Sequence, residues 1–373
     1  GKNFDKTISL KNLPSSLHLP VKNPPWKTDL GKKVEFVTEA SKVGWSASPK
    51  IKQVKVVYGD TRKKIEIANS RGEETNEERV YTLFFVHITA SENGLIQTGY
   101  HPVGGYLGLE LLEMETVETV AKKAIEQALL SLKARPAPAG RMPIVLSSEA
   151  GGTMVHEAIG HGLEADLASE NLSVYHGKKG TRIAGPHLTI IDDATIATKR
   201  GSFLFDDEGT PSERTVLVDK GILVNFMYDR VMAMKDGVSS TGNGRRENYR
   251  FKPICRMTNT IICSGTDDPD SILRTTDKGL FVRKMGGGQV NTVNGDFVFE
   301  VSEGYLIDKG KIGDPVRGAM LTGNGPKVLE TIDKLGSDLG FGIGTCGKDG
   351  QGVPVGDAQP TLRIPELTVG GQG

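Results

Sequence analysis

The chain is predicted to be an α+β protein, built on predominantly antiparallel sheets with interspersed helices. Its strand-like segments are joined by short turn signals, Asn93-Gly94, Asp219-Lys220-Gly221 and Asp308-Lys309-Gly310, of the kind that connect antiparallel neighbours. Helical periodicity occurs in only a few stretches, and these interrupt the strands without the regular alternation of a parallel βαβ sheet. Glycine, 47 of 373 residues, is concentrated after position 150, which suits a site built largely from loops.

Residues 1–27, with Leu13-Pro14, Leu19-Pro20 and Pro24-Pro25, form an irregular arm expected to pack on another part of the chain. Residues 28–46 are a helix candidate. Strands at 54–58, 65–68, 80–89 and 95–100 follow as an antiparallel meander. From 116 to 133, Val117, Val120, Ala121, Ala124, Ile125, Ala128, Leu129 and Leu132 recur at three-and-four spacing, the clearest amphipathic helix in the chain. Pro136 and Pro138 stop it, and a strand at 142–147 opens a second unit. The expected division is residues 1–140, an N-terminal α+β portion, and residues 141–373, a sheet-rich, metal-binding catalytic domain.

Beyond it, strands are expected at 188–191, 214–218, 222–227, 297–301 and 305–307. Helices at 269–278 and 326–335 each have proline near the start and glycine just past the end. Gly242-Asn243-Gly244 and Gly286-Gly287-Gly288 lack the strand, glycine-loop and helix order of a phosphate cradle. They are expected to be loops bordering the site.

Lys plus Arg equals Asp plus Glu, at 46 each, so the balance supports neither a nucleic acid nor an anionic membrane as partner. The strongest apolar run, 81–88, is too short to span a bilayer, and residues 1–6 lack the apolar core of a signal peptide. Three cysteines, Cys255, Cys263 and Cys346, are too few and odd in number for a disulfide scaffold. A cytoplasmic location is expected.

The chemistry is expected at residues 151–164, where His156-Glu157 is followed by His161. Two histidines and a glutamate on a helix present imidazoles to Zn²⁺ beside a carboxylate base. The usual spacing of the histidines is four, and here it is five. On a regular helix the second ring would point about 140° away from the first. A π-type bulge would bring both rings to one side, and Gly160 is expected to absorb the strain. Val155, Ala158, Ile159 and Leu163 give this helix an apolar stripe to bury. A third ligand is required, and the residues leave Glu164, Asp166 and Cys346 open. Cys346 lies among the glycines of 342–350, interpreted as a tight loop.

The segment 156–164, together with Asp207-Glu208-Gly209-Thr210-Pro211, Thr241-Gly242-Asn243-Gly244-Arg245-Arg246-Glu247, Arg256-Met257-Thr258-Asn259-Thr260, Gly286-Gly287-Gly288-Gln289-Val290 and the Cys346 segment, resembles the TldD branch of the TldD/PmbA family. The resemblance runs from about residue 100 to the end. It implies a zinc-dependent peptidase of TldD/PmbA-like fold, with His156, His161 and Cys346 holding the metal and Glu157 activating a zinc-bound water. It further implies unfolded or extended peptides as substrate, and a homodimer or a heterodimer with a PmbA/TldE-like paralogue, the branch that generally lacks the metal motif. Family members usually carry a longer N-terminal portion, so the chain is expected to lack further N-terminal residues.

Substrate-binding candidates are Arg245, Arg246, Asn259, Gly287 and Gly288. The arginines have an alternative as ion pairs with Asp206, Asp207, Glu208 or Glu247. Main-chain pairing of a peptide is expected on the strand at 256–262 or in the region after Gly288. The alternative function is a non-catalytic zinc-containing peptide-binding or scaffold protein, its metal closed by a fourth protein ligand such as Glu164 or Asp166. A hydrolase for small amides is a remoter alternative.

Overall fold

The computed structural model describes residues 9–371, so residues 1–8 of the expected arm lie outside the described residues. In the rest of the arm Lys11–Asn12 pairs in parallel with Glu73 and Glu74, and a 3-10 turn forms at Pro25–Lys27. Helix α1 (Leu30–Ser46) starts where the Asp29 side chain accepts from Gly31 N–H at 2.7 Å. It leads into the predicted meander of β1 (Ile51–Ala68), β2 (Glu73–Glu92) and β3 (Leu95–Gly105). The two strands expected at 54–58 and 65–68 are one. Residues 59–64 between them are paired in register with residues 83–78 of β2. A long partner carries the ladder through a polar stretch that does not specify a strand by itself. At the β2–β3 turn Asn93 and Gly94 have φ of 51° and 82°, the left-handed pair that a tight hairpin requires.

Helix α2 (Val117–Lys133) is capped by Thr116, whose hydroxyl accepts from Thr119 N–H at 3.2 Å. Its apolar stripe is its buried face, and Val120, Ala121, Ala124 and Ala128 share a core with Phe84, Val86 and Ile88 of β2. Gly99 of β3 lies so near Ala124 O that any side chain there would overlap the helix backbone.

The remaining chain forms β4 (Gly140–Leu146), β5 (Ile190–Asp193), β6 (Arg214–Asp219), β7 (Ile222–Leu223), β8 (Asn259–Ile262), α3 (Pro269–Arg274), β9 (Lys278–Val290), β10 (Asp296–Asp308), β11 (Lys311–Arg317), β12 (Met320–Asn324), α4 (Gly325–Thr331), β13 (Gly340–Lys348), β14 (Gln351–Gln359) and β15 (Leu362–Gly370). Strands β9, β4, β15, β12 and β10 pair in that order, and β10 returns to β9 to close a ring. A six-stranded sheet runs β13-β14-β8-β5-β6-β7. Pairing is mostly antiparallel, with parallel exceptions such as β4–β9 and β8–β14. The architecture is the predicted α+β class.

Several boundaries differ from expectation. The strands at 297–301 and 305–307 are halves of β10. The strand at 222–227 shrinks to β7, because Val224 and Asn225 N–H both donate to Leu217 O and break the register. The helix expected at 269–278 stops at Arg274, since Lys278 and Gly279 already belong to β9. The helix expected at 326–335 ends at Thr331. The Gly286-Gly287-Gly288 run is not a loop but the irregular end of β9, where the register with β10 shifts between Met285 and Gly288. Glycine is required there at 288, against the ring of Phe299.

The meander is pinned to the rest of the chain by buried charge. Arg79 of β2 pairs with Glu77 at 2.9 Å and Asp207 at 3.0 Å, and donates to Phe205 O.

Candidate metal centre

The chain leaves β4 into one short helix whose winding changes twice. Thr153–Val155 is α-helical, His156–Gly160 is a π turn and His161–Leu163 is 3-10. The π turn inserts the residue that the five-residue spacing demands, and the two imidazole rings stand 5.1 Å apart, centroid to centroid. Gly160 does not store strain, contrary to expectation, because its φ and ψ are −55° and −52°. Glycine is needed for room, since a Cβ there would overlap Met257 Sδ. Val155, Ile159 and Leu163 are buried as the stripe predicted.

Cys346 lies on edge strand β13, not in a tight loop. The turn comes later, at Asp349-Gly350. The strand brings Sγ to 3.5 Å from His161 Nε2, and the donor atoms of His156, His161 and Cys346 all lie within 4.8 Å of one another. Sulfur and nitrogen on a shared tetrahedral zinc would be separated by about 3.5 Å, from the usual bond lengths. Two imidazoles and a thiolate form a donor set that suits zinc. Burial pushes the Cys346 thiol up, but hydrogen bonds and charge from His156 and His161 more than offset it and hold it at about 5. The sulfur is therefore a thiolate at neutral pH. His156 Nδ1 is buried and has no hydrogen-bond partner among the described residues, an arrangement that costs about 1–3 kcal/mol unless something else engages the ring. The residues fit the metal.

Glu157 extends to this cluster, its Oε2 4.0 Å from His161 Nε2, with a quarter of its side chain exposed. Burial raises its pKa, and the two histidines oppose the rise. Glu164 and Asp166, the other nominated ligands, are engaged elsewhere. Glu164 is fully buried, and its Oε2 lies 3.1 Å from His161 Nδ1 and 2.9 Å from Lys348 Nζ. Burial opposes its charge, yet His161 and Lys348 hold its pKa down at about 2. Both oxygens of Asp166 accept from the same Lys348 ammonium, at 2.7 and 2.8 Å. Sequence reasoning missed Lys348. Strand period was the available signal, because a residue two beyond Cys346 shares its face.

The predicted substrate residues separate. Arg245 is 1% exposed, donates to Met257 O and Pro354 O, and stacks 5.2 Å from the Phe203 ring centroid. It is a structural strut rather than a carboxylate receptor, and its partners are carbonyls rather than the acidic cluster. Arg246 meets that cluster through its backbone, N–H to Asp207 at 2.8 Å. Asn259 is fully buried and bonded to Asp193 O, Ser202 Oγ and Gly201 N–H. Gly288 packs on Phe299. Gly287 lines a cavity of about 1000 Å³ between β3 and α2 on one side and β9 and β13 on the other. Thr153, one turn before Glu157, also lines it.

The strand at 256–262 has no free edge, because β8 is paired on both sides. Past Gly288, β9 pairs only with β10 among the described residues. An edge that sequence reasoning missed is β13 itself, which among the described residues pairs only with β14 and contributes residues 340–343 to the cavity. Its alternation of Gly340, Gly342 and Gly344 with Phe341, Ile343 and Thr345 was the available sign of a strand.

The class is that of the metallopeptidases. Residues 139–371 match the family model for the PmbA/TldA metallopeptidase C-terminal domain, and residues 23–132 match that for the central domain. The chain belongs to the PmbA/TldD metallopeptidase family. It is 40% identical over 357 residues to the Haemophilus influenzae metalloprotease TldD homolog, covering 94% of this chain and 74% of that protein. A Methanothermobacter thermautotrophicus metalloprotease is 37% identical over 348 residues, 93% of this chain and 76% of that one. The Saccharolobus solfataricus zinc metalloprotease TldD homolog is 32% identical over 258 residues, 69% of this chain and 57% of that one. Among solved structures, a Thermotoga maritima protein described as a candidate modulator of a DNA gyrase aligns with a TM-score of 0.82 at 21% identity, covering 98% of this chain and 80% of its own. TldE from Thermococcus kodakarensis aligns with a TM-score of 0.76 at 18% identity, with the same coverages. At these identities the structural likeness is one of fold. Among the described residues no helix is long and apolar enough to cross a membrane.

Proposed function

We propose that the chain is a zinc-dependent peptidase that hydrolyses peptide bonds in unfolded or extended peptides. His156, His161 and Cys346 hold the metal and Glu157 is the general base. The observation that carries this reading is the gathering of those three donors within 4.8 Å, with the Glu157 carboxylate at their rim. Zinc, when bound, supplies a Lewis acid that acidifies water and polarises a peptide carbonyl. Glu157, whose pKa is raised by burial, takes the proton of the attacking water at Oε2 and passes it to the leaving amine. Glu164, held by Lys348, accepts a hydrogen bond from Nδ1–H of His161 and so leaves the Nε2 lone pair to face the metal. An extended peptide pairs with the free edge of β13, where backbone hydrogen bonding tolerates many sequences.

The scaffold reading requires a fourth protein donor, and its nominees are engaged by Lys348. We assign the protein to the cytoplasm, a reading supported by its three free cysteines. We also assign it a second copy or a TldE-like chain as partner, supported by the fold it shares with TldE.

Metal analysis and cleavage of an unfolded test peptide by the native chain and by Glu157→Gln test the reading. About one zinc per chain in both proteins, with cleavage by the native chain alone, is expected. Cleavage retained in the variant would remove Glu157 from the mechanism, and unchanged zinc affinity in Cys346→Ser would remove the thiolate from the ligand set.

A further inference from the structure

The cavity wall carries two cations that, among the described residues, no carboxylate pairs with. Lys199 and Arg200 both line the cavity. Burial pushes both of their pKa values down, and no acidic side chain is among the groups that act on them. The Arg200 Nε–H donates to Gly344 O at 3.2 Å, and among the described residues its terminal nitrogens have no partner. Lys199 Nζ stands 3.9 Å over the centroid of the Phe341 ring. Charges withdrawn from water are ordinarily paired, so an adjacent pair left open toward a cavity points to an anion that comes from outside the chain. Of the other charged groups that line the cavity, Glu115 is held by His101 and Lys123 and Lys284 stands 3.9 Å from Glu303, while Glu149, Glu300 and Arg317 complete the set.

The loop that holds the pair is tied down by hydrogen bonds. Asp193 Oδ1 accepts from both the amide and the hydroxyl of Thr195, at 2.8 and 2.6 Å, and Ser202 Oγ donates to Ile196 O at 2.6 Å. Asn259 ties Asp193, Gly201 and Ser202 together from beneath, so this expected substrate contact is instead the clamp of the loop. Tyr106 N–H holds Thr198 O at 3.1 Å. Thr198 has φ of 70°, a conformation a β-branched residue rarely adopts. Such strain persists where neighbours over-determine it, characteristically around ligand sites.

Both cations lie along β13, at Phe341 and at Gly344, the latter two residues from Cys346. An anion held between them would therefore sit on the edge strand just short of the metal donors. Arginine offers a planar fork that matches a carboxylate, and lysine adds a point charge.

We propose that Lys199 and Arg200 form a carboxylate-binding subsite that selects peptides presenting an acidic side chain or a free C-terminal carboxylate close to the bond that is cut. The proposal rests on the peptidase reading above for the identity of its ligand. Three matched unstructured peptides test it: one neutral with an amidated C-terminus, the same with a free C-terminus, and the amidated form with one internal glutamate. Anisotropy with the Glu157→Gln protein gives Kd, and the native chain gives kcat/KM. At least one carboxylate peptide is expected to bind about ten-fold more tightly than the neutral one, and which one identifies the source of the carboxylate. The advantage should vanish in Arg200→Gln, shrink in Lys199→Gln and partly survive in Arg200→Lys, at unchanged zinc content. Equal or weaker binding of both carboxylate peptides, or an advantage that survives in both glutamine variants, overturns the subsite. A binding advantage without cleavage of any peptide by the zinc-loaded native chain would overturn the peptidase reading and leave the subsite standing.

Discussion

Helix α2 and the helix of the metal centre are both apolar-striped and both buried on one face, yet only α2 is regular. In α2 every buried apolar position follows from a repeat of three and four, and the winding never changes. The centre's helix has a comparable stripe, but between Thr153 and Leu163 it passes from α through π to 3-10. Packing alone would be served by a regular helix in both places. Where two imidazoles must meet a thiolate, the backbone accommodates the donors. Departures from local regularity of this kind are expected at functional sites.

The largest effect that sharpens the contrast is Glu157→Gln, expected to lower kcat on an unfolded peptide by about 10²–10⁴-fold. Lys122→Gln on the exposed face of α2 should leave it unchanged. Next is Glu164→Gln or Lys348→Met, each expected to weaken zinc binding by about 10–100-fold in a chelator competition. Unaltered affinity would mean that the Lys348–Glu164–His161 chain does not hold the ring. Third, Gly160→Ala should destabilise the fold by about 1–3 kcal/mol in a denaturant titration, because Met257 occupies the space. Alanine is nonetheless the better helix former by about 1 kcal/mol, and a stabilised variant would show that propensity governs this helix as it does α2.

The smallest effect concerns the anchor of α2. Hydrogen bonds from His101 foremost, and from Lys123 of α2, hold Glu115 at about 2 against burial, below its ordinary 4.5. A depressed carboxyl contributes stability above its unfolded pKa and loses it as pH falls through the folded value. Acidification from about pH 5 to about pH 2 should therefore cost the native chain slightly more than Glu115→Gln, by less than about 1 kcal/mol. Equal losses in the two proteins would show that the anchor contributes nothing.

The centre was legible in sequence as far as its residues were local. His156, Glu157 and His161 lie within one turn, and their odd spacing already demanded a π turn. Cys346 reaches them through the tertiary placement of β13, which spacing does not encode; the residues left it open beside Glu164 and Asp166, and the family resemblance chose it. Arg245 and Asn259 were misread for the converse reason. They lie in motif blocks of the family, and a buried polar strut has the same chemistry in sequence as a substrate contact. The merging of expected strands into β1 and β10 was invisible because the partner strand, rather than the local pattern, sets the length of a ladder.

The position of Cys346 also sets a clock. Its strand is secured by β14, which is complete only at Gln359. A chain emerging from its N-terminus has both histidines and the glutamate long before it has the sulfur. On the proposed reading, a nascent copy is an unfolded polypeptide and thus the kind of molecule the finished enzyme cuts. Its own centre stays incomplete throughout that interval, so cleavage begins only in a molecule that has ceased to be a substrate.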